Sequence, residues 1–306
     1  MRRTGRTADS RMLDLLGRLH SDLFFQEKLL LNGVDLKIKL TRSKDGFCLM
    51  SGNANQNYKV HIISASLFVK QVKVTAGVRL GDAEVPMTPN AKYPVERVGR
   101  KVFSIPAGSR VSNQENLFLE QLLKKLVIGF IDKDTFSGSY VKNPFNFTHY
   151  NINFVALYVD GEQVPAKPLQ PDFENGSCVR EYMQLGQATG KYVKDWSTCG
   201  TLKTVPQVLL FFLRIQTNTA ATLKHVKDCL LLIDRGEFGQ SYTLFAFDLT
   251  PDQECADHYS LIKTGYLRAE VRFATALPST VNVIVYGVFD NVLKVNHRRN
   301  VLFDCM

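Results

Sequence analysis

Apolar and polar positions alternate with a period of two at several places along the chain. Leu36-Lys37-Ile38-Lys39-Leu40 is the clearest case, and Leu67 to Val74 and Ala269 to Phe273 close in the same way. Strict alternation predicts an antiparallel strand with one buried and one wet face. Phe154 to Val159, the turn pair Asp160-Gly161 and Glu162-Gln163-Val164 predict a hairpin, with Pro165 and Pro168 expected to stop it. Tyr242 to Phe247 and Val281 to Phe289 are β-branched and aromatic runs of strand length. Asn32-Gly33, Asp45-Gly46 and Asn175-Gly176 supply further turn chemistry. Many short strands separated by turns predict an all-β antiparallel sandwich or barrel.

One stretch breaks the pattern. From about 192 to 234 the chain carries its single Trp, Trp196, the apolar run Leu209 to Leu213, and Leu223, Val226, Leu230 and Ile233 at helical spacing. This predicts a helical insertion packed on its own domain rather than one filling a partner's groove. A weak internal echo links the two ends of the chain. Leu19 to Leu23, the Asn32-Gly33 turn and the strands at Leu36 to Leu40 and Leu67 to Val74 follow the same order as Phe245 to Leu249, Leu261 to Gly265, Ala269 to Phe273 and Val281 to Val295.

The 306 residues allow two ordinary domains or one large one, and 45% apolar against 22% charged residues is a globular balance. No apolar run approaches the roughly 20 residues of a membrane helix. Arg2, Arg3 and Arg6 have no apolar segment behind them, so a secretory signal is not predicted and an intracellular setting, cytoplasm or nucleus, is expected. Net charge is +9. That balance predicts salt-sensitive, nonspecific contact with nucleic acid, although the cations are dispersed as on a solvated surface.

The search for chemistry returns no catalytic, cofactor-binding or metal-ligating residues. Cys48, Cys178, Cys199, Cys229, Cys255 and Cys305 form no CxxC pair, and His20, His61, His149, His225, His258 and His297 stand apart from one another. The cysteines are expected as reduced, mostly buried thiols. Gly186-Gln187-Ala188-Thr189-Gly190-Lys191 falls short of a phosphate loop, because three residues rather than four separate its glycines and Tyr192 follows the lysine. Asp132 and Asp134 flank Lys133 and read as a solvated turn, and the acceptor motifs at Asn146 and Asn175 read as coincidental.

Several segments are familiar as wording. Leu30 to Leu36 with Arg42 to Asp45, Lys101 to Gly108, Asn143 to Phe147, Ala156 to Gly161, Lys167 to Phe173, Leu244 to Pro251 and Asn300 to Asp304 fall in order across most of the chain. Together they resemble the major capsid protein of Maverick/Polinton elements, virus-like DNA transposons of animal genomes. That resemblance implies a double jelly-roll protein of the kind that trimerises into capsomers, with no enzymatic site. It implies that residues 1–78 are the closing strands of a truncated first jelly roll and 79–306 the second jelly roll, with the segment at about 192–234 foreign to the family. Leu122-Leu123-Lys124 stands where the family tends to have Leu-Pro-Lys, and loss of that proline would let a strand run further.

The expected function is therefore structural: a capsid shell subunit, or a degraded or host-captured copy of one. Expected partners are other copies and other capsid subunits, with nonspecific nucleic acid and no membrane, and a virion location follows if the chain assembles. A basic nucleic-acid-binding module and a small hydrolase with a nonlocal Cys/His site are the rival classes. The predicted core consists of Phe103, Ile105, Val127, Ile128, Phe154, Leu157, Phe245, Phe247, Val271, Phe273, Ile284 and Val285.

Overall fold

The computed structural model describes residues 28–52, 57–77, 90–118, 121–188, 235–250, 264–296 and 298–303, with 21–24, 233 and a few single positions before residue 20. Two sheets dominate. One holds β1 (Ala91–Ile105), β8 (Val281–Val295), β3 (Lys125–Asp132) and β6 (Leu244–Asp248) in that order, and β9 (Val301–Phe303) adds to the end of β8. The other holds β2 (Val111–Gln114), β7 (Leu267–Phe273), β4 (Ile152–Val159) and β5 (Glu162–Leu169).

The pairing is nested. β1 pairs β8, β2 pairs β7, β3 pairs β6 and β4 pairs β5, all antiparallel, as if one long hairpin had been rolled up. The roll closes where β8 also pairs β3 and β7 also pairs β4. Two four-strand orders, 1-8-3-6 and 2-7-4-5, make this an eight-stranded jelly roll.

At the centre of the nest the Asp160-Gly161 turn connects β4 to β5, with φ of 50° and 89°. Two successive positive φ values give the turn whose twist matches flanking strands, which is why Asp-Gly stands there. The prolines do not end the strand, since β5 runs on to Leu169, but its ladder to β4 breaks after Val164 and resumes only at Leu169. Pro165 and Pro168 fall in that irregular stretch of an edge strand, where no ladder bond needs their missing N–H.

The faces of the two sheets that meet form the main core. Ile128, Phe130, Phe245, Phe247 and Val285 come from one sheet, Leu157, Val271 and Phe273 from the other. Phe130 meets Phe245 within its sheet and Phe273 across the gap, both edge to face with centroids 6.1 Å apart. Nine of the twelve expected core residues are buried, and Phe103 packs partly buried against the same cluster. Phe154 is a correction. The β4–β7 register shifts between Ile152 and Phe154, and this bulge reverses the in-and-out parity so that Val155 and Leu157 point inward. Phe154 is left on the outer face, under the Arg272 guanidinium at 4.6 Å.

The β1/β8 sheet is covered on both faces. Val127, Ala246, Tyr286 and Val288 on its outer side, with Ile284 at the margin, pack with Leu185 and Ala188 of α3 (Val179–Ala188), Ile233, and Phe238 of α4 (Arg235–Gln240). Double burial explains why β3 reads as a continuous apolar run instead of alternating. Phe147 lies over Gly129 so closely that a Cβ there would stand 2.7 Å from its ring. Of the expected helical insertion, Ile233 is buried, and Trp196, Leu209 to Leu213, Leu223, Val226 and Leu230 lie outside the described residues.

Leu122-Leu123-Lys124 does not lengthen β3, which begins at Lys125. Lys124 instead places its ammonium between Glu96 of β1 (3.3 Å) and Asp290 of β8 (3.4 Å), while its N–H bonds the Val288 carbonyl at 2.7 Å.

The segments at Leu36 to Leu40 and Leu67 to Val74, expected as strands, have no strand assignment here. A strand is held by its neighbours, and none of the described strands runs beside them. The sequence echo therefore has no counterpart in secondary structure: β7 and β8 each lie between two strands, whereas the N-terminal arm has none.

Candidate interaction surface

Among the described residues, hydrogen bonds and ring contacts fasten the arm to the jelly roll around Tyr93 and around Tyr140. At the first, the Tyr93 hydroxyl at the start of β1 donates to the Leu29 carbonyl (3.1 Å) and accepts from the Leu31 N–H (3.2 Å). The second is larger. A short helix, α1 (Asp45–Cys48), sets Phe47 edge to face against Phe145 at 5.5 Å. Gly46 lies against Gly138, where a Cβ would stand 3.2 Å from the carbonyl oxygen. The Ser51 N–H donates to the Tyr140 carbonyl and the Tyr140 hydroxyl donates to the Tyr58 carbonyl, both at 2.7 Å.

Asp45 organises this latch from within the arm. Its carboxylate pairs with Arg42 and accepts from the Val60 N–H at 2.9 Å. The Arg42 bond first, and the Val60 bond next, hold it below the usual carboxylate range.

Between and beyond these fastenings the arm is open. Leu36, Ile38 and Leu40 are exposed on one stretch, and Ile62, Ile63, Leu67, Phe68, Val69, Val72 and Val74 on the other. Phe68 is 84% exposed and Leu40 75%. Residues 34–44 and 57–75 carry seven cations, Lys37, Lys39, Arg42, Lys44, Lys59, Lys70 and Lys73, against one acid, Asp35. Among the described residues no carboxylate pairs with Lys37, Lys39, Lys70 or Lys73.

The jelly roll itself offers one polar cleft of about 330 Å³, lined by Asp132, Lys142, Asn143, Asn146, Thr148 and Tyr150 among others. Asp132 is more than a solvated turn residue. Its Oδ1 caps α2 (Lys133–Ser137) by accepting from the Asp134 N–H at 2.9 Å, and Oδ2 accepts from Lys142 at 2.7 Å. Burial pushes the Tyr150 phenol up to about 12, with the Asp132 charge adding to it. His149 stacks on Phe173 at 4.2 Å, and burial lowers its pKa.

Of the six cysteines the structure describes Cys48, exposed, and Cys178, buried. Cys199, Cys229, Cys255 and Cys305 lie outside the described residues, as do His20, His225, His258 and His297. The Cys48 thiol points to the Ser43 carbonyl at 3.8 Å. Desolvation raises both described thiols, the opposite of what activates a nucleophile. Among the described residues no group of His, Cys, Asp and Glu is placed to hold a metal ion, and no helix is long and apolar enough to cross a membrane. Gly186 and Ala188 sit in α3, and the rest of the phosphate-loop look-alike, from Thr189 to Lys191, lies outside the described residues.

No family model matches the chain. The uncharacterized protein F54H12.2 of Caenorhabditis elegans is 23% identical over 287 residues, covering 92% of this chain and 61% of its own length. The chain thus spans about three fifths of the curated relative it matches. Among solved structures, the Sputnik virophage gives 13% identity and a TM-score of 0.35 over 73% of this chain and 41% of that one. The mavirus major capsid protein gives 10%, 0.35, 74% and 43% in the same order, and the PBCV-1 virus capsid 9%, 0.39, 74% and 54%.

Proposed function

We propose that the protein is a structural, capsid-type subunit of Maverick/Polinton ancestry, or a degraded or host-captured copy of one. The observation that carries the reading is the nested strand order of the jelly roll, on which the capsid-like wording falls in register: Lys101 to Ile105 in β1, Ala156 to Gly161 in β4 and its turn, Leu244 to Asp248 in β6. In this reading residues 79–306 are the second jelly roll, and 1–78 correspond in sequence to the closing part of a first one. The role is non-enzymatic, and the partners are other subunits.

The rival nucleic-acid reading rests on the +9 charge and is separated by salt. Phosphate contacts weaken steeply as salt rises, whereas apolar association does not. Sedimentation of the full chain and its binding to duplex DNA should be followed together from low salt to about 0.5 M. The structural reading expects DNA binding to vanish while association of the protein persists or grows. A chain that stays monomeric throughout and keeps a sequence-selective DNA complex would overturn it.

A further inference from the structure

We infer that the arm is a docking surface for an extended segment of a different polypeptide, one that alternates apolar and acidic residues and joins the arm as a β-strand. The inference rests on the arm's own surface and stands whether or not the capsid reading holds.

Size is the first argument. Side chains such as Leu40, Ile62, Ile63, Phe68, Val69 and Val72 are all more than half exposed. The exposed apolar residues from 36 to 74 present on the order of 1,000 Å², against roughly 800 Å² contributed per partner in a stable interface. A monomer seldom leaves that much apolar surface to water without a use for it.

Placement is the second. Each bare stretch is tethered, 34–44 between the Tyr93 clamp and the Asp45 turn, and 60–75 directly after the Tyr140 latch. Tethering lowers the ordering cost of receiving a partner. Among the described residues no strand pairs with the backbone N–H and C=O groups there, so an added strand supplies hydrogen bonds as well as apolar contact.

Charge selects the occupant. The two stretches carry six cations, of which Arg42 is held by Asp45, against the single acid Asp35, so a second copy of the arm would set Lys against Lys across the pair, which destabilises a sheet. A strand whose outward positions are Glu or Asp meets Lys37 and Lys39, which share one face, and Lys73 in the alternating Val72-Lys73-Val74 with opposite charge, while Lys70 falls on the other face. A nucleic acid would satisfy the cations but leave the Leu, Ile, Phe and Val side chains uncovered.

The test uses the full chain and three synthetic peptides of about twelve residues. One alternates Val and Glu, one Val and Lys, and one Ser and Glu. The Val/Glu peptide should bind at least about tenfold more tightly than either control, slow amide exchange over 36–40 and 67–74, and reduce the protein's self-association. Lys37→Glu/Lys39→Glu/Lys70→Glu/Lys73→Glu should reverse the preference toward the Val/Lys peptide, and Leu36→Ser/Ile38→Ser/Leu40→Ser should weaken binding of the Val/Glu peptide. All these positions are exposed, so both variants should unfold at the parent temperature. Equal binding of the Ser/Glu peptide, or binding without amide protection, would reduce the surface to a general cation patch and overturn the proposal. So would displacement of the peptide by oligothymidylate, or a closed homodimer that excludes it.

Discussion

The Tyr140 hydroxyl donates to the Tyr58 carbonyl at 2.7 Å while the two rings meet edge to face at 6.0 Å. One residue of the jelly roll thereby grips the arm by its backbone and its side chain together. Tyr140→Ala should release residues 57–75 with little effect on the roll. Limited proteolysis should cut the arm several times faster, while denaturant unfolding of the β-domain shifts by no more than about 1 kcal/mol.

Core and arm should answer oppositely to truncation. Phe130 is fully buried between the sheets, so Phe130→Ala should cost about 3–5 kcal/mol. Phe68→Ala, at a position almost fully in water, should stay within about 0.5 kcal/mol. Urea unfolding of both variants measures the contrast.

Glu270 is only 8% exposed although it lies on the open face of its sheet. Arg272 covers it through two bonds of 2.7 and 2.6 Å. Arg272→Leu would leave the buried carboxylate with only the long Tyr158 hydroxyl bond of 3.4 Å and should cost about 1–3 kcal/mol. The double variant Arg272→Leu/Glu270→Gln should recover part of that loss in the same unfolding assay.

Tyr150 sets an alkaline limit. Its folded pKa is raised, so its contribution is complete below the ordinary phenol value near 10 and is lost as pH rises through about 12. Tyr150→Phe should flatten the stability profile in that window, and phenolate absorbance should show one late-titrating tyrosine missing. Asp45 works in the other direction. Its depressed pKa means that its bonds to Arg42 and Val60 persist at neutral pH and are lost as pH falls through that lowered value, which amide exchange at Val60 followed against pH should show.

Local chemistry made part of this fold legible. The Asp160-Gly161 hairpin and the strands at Leu267 to Phe273 and Val281 to Val295 follow from turn residues and β-branched runs. Pro165 marked where the β4–β5 ladder breaks but not that the edge strand pairs again at Leu169, which depends on its place in the sheet. Phe154 misled because it stands three positions from Leu157 in a regular stretch, so the two take opposite faces, and the bulge ahead of Phe154 gives the inward face to Leu157. In the arm, the Lys-alternating segments announced their composition but not their partner. The Tyr140, Phe145 and Gly138 contacts that dock the arm span some 80 to 100 positions of sequence and left no local mark.

The central claim is a complete jelly roll carrying an unpartnered arm, and sedimentation velocity with negative-stain microscopy of the purified full chain tests it most directly. The account predicts irregular association that strengthens as salt screens the arm's lysines, with neither discrete trimers nor closed shells. A monodisperse trimer, or shells of uniform size, formed by this chain alone would contradict it.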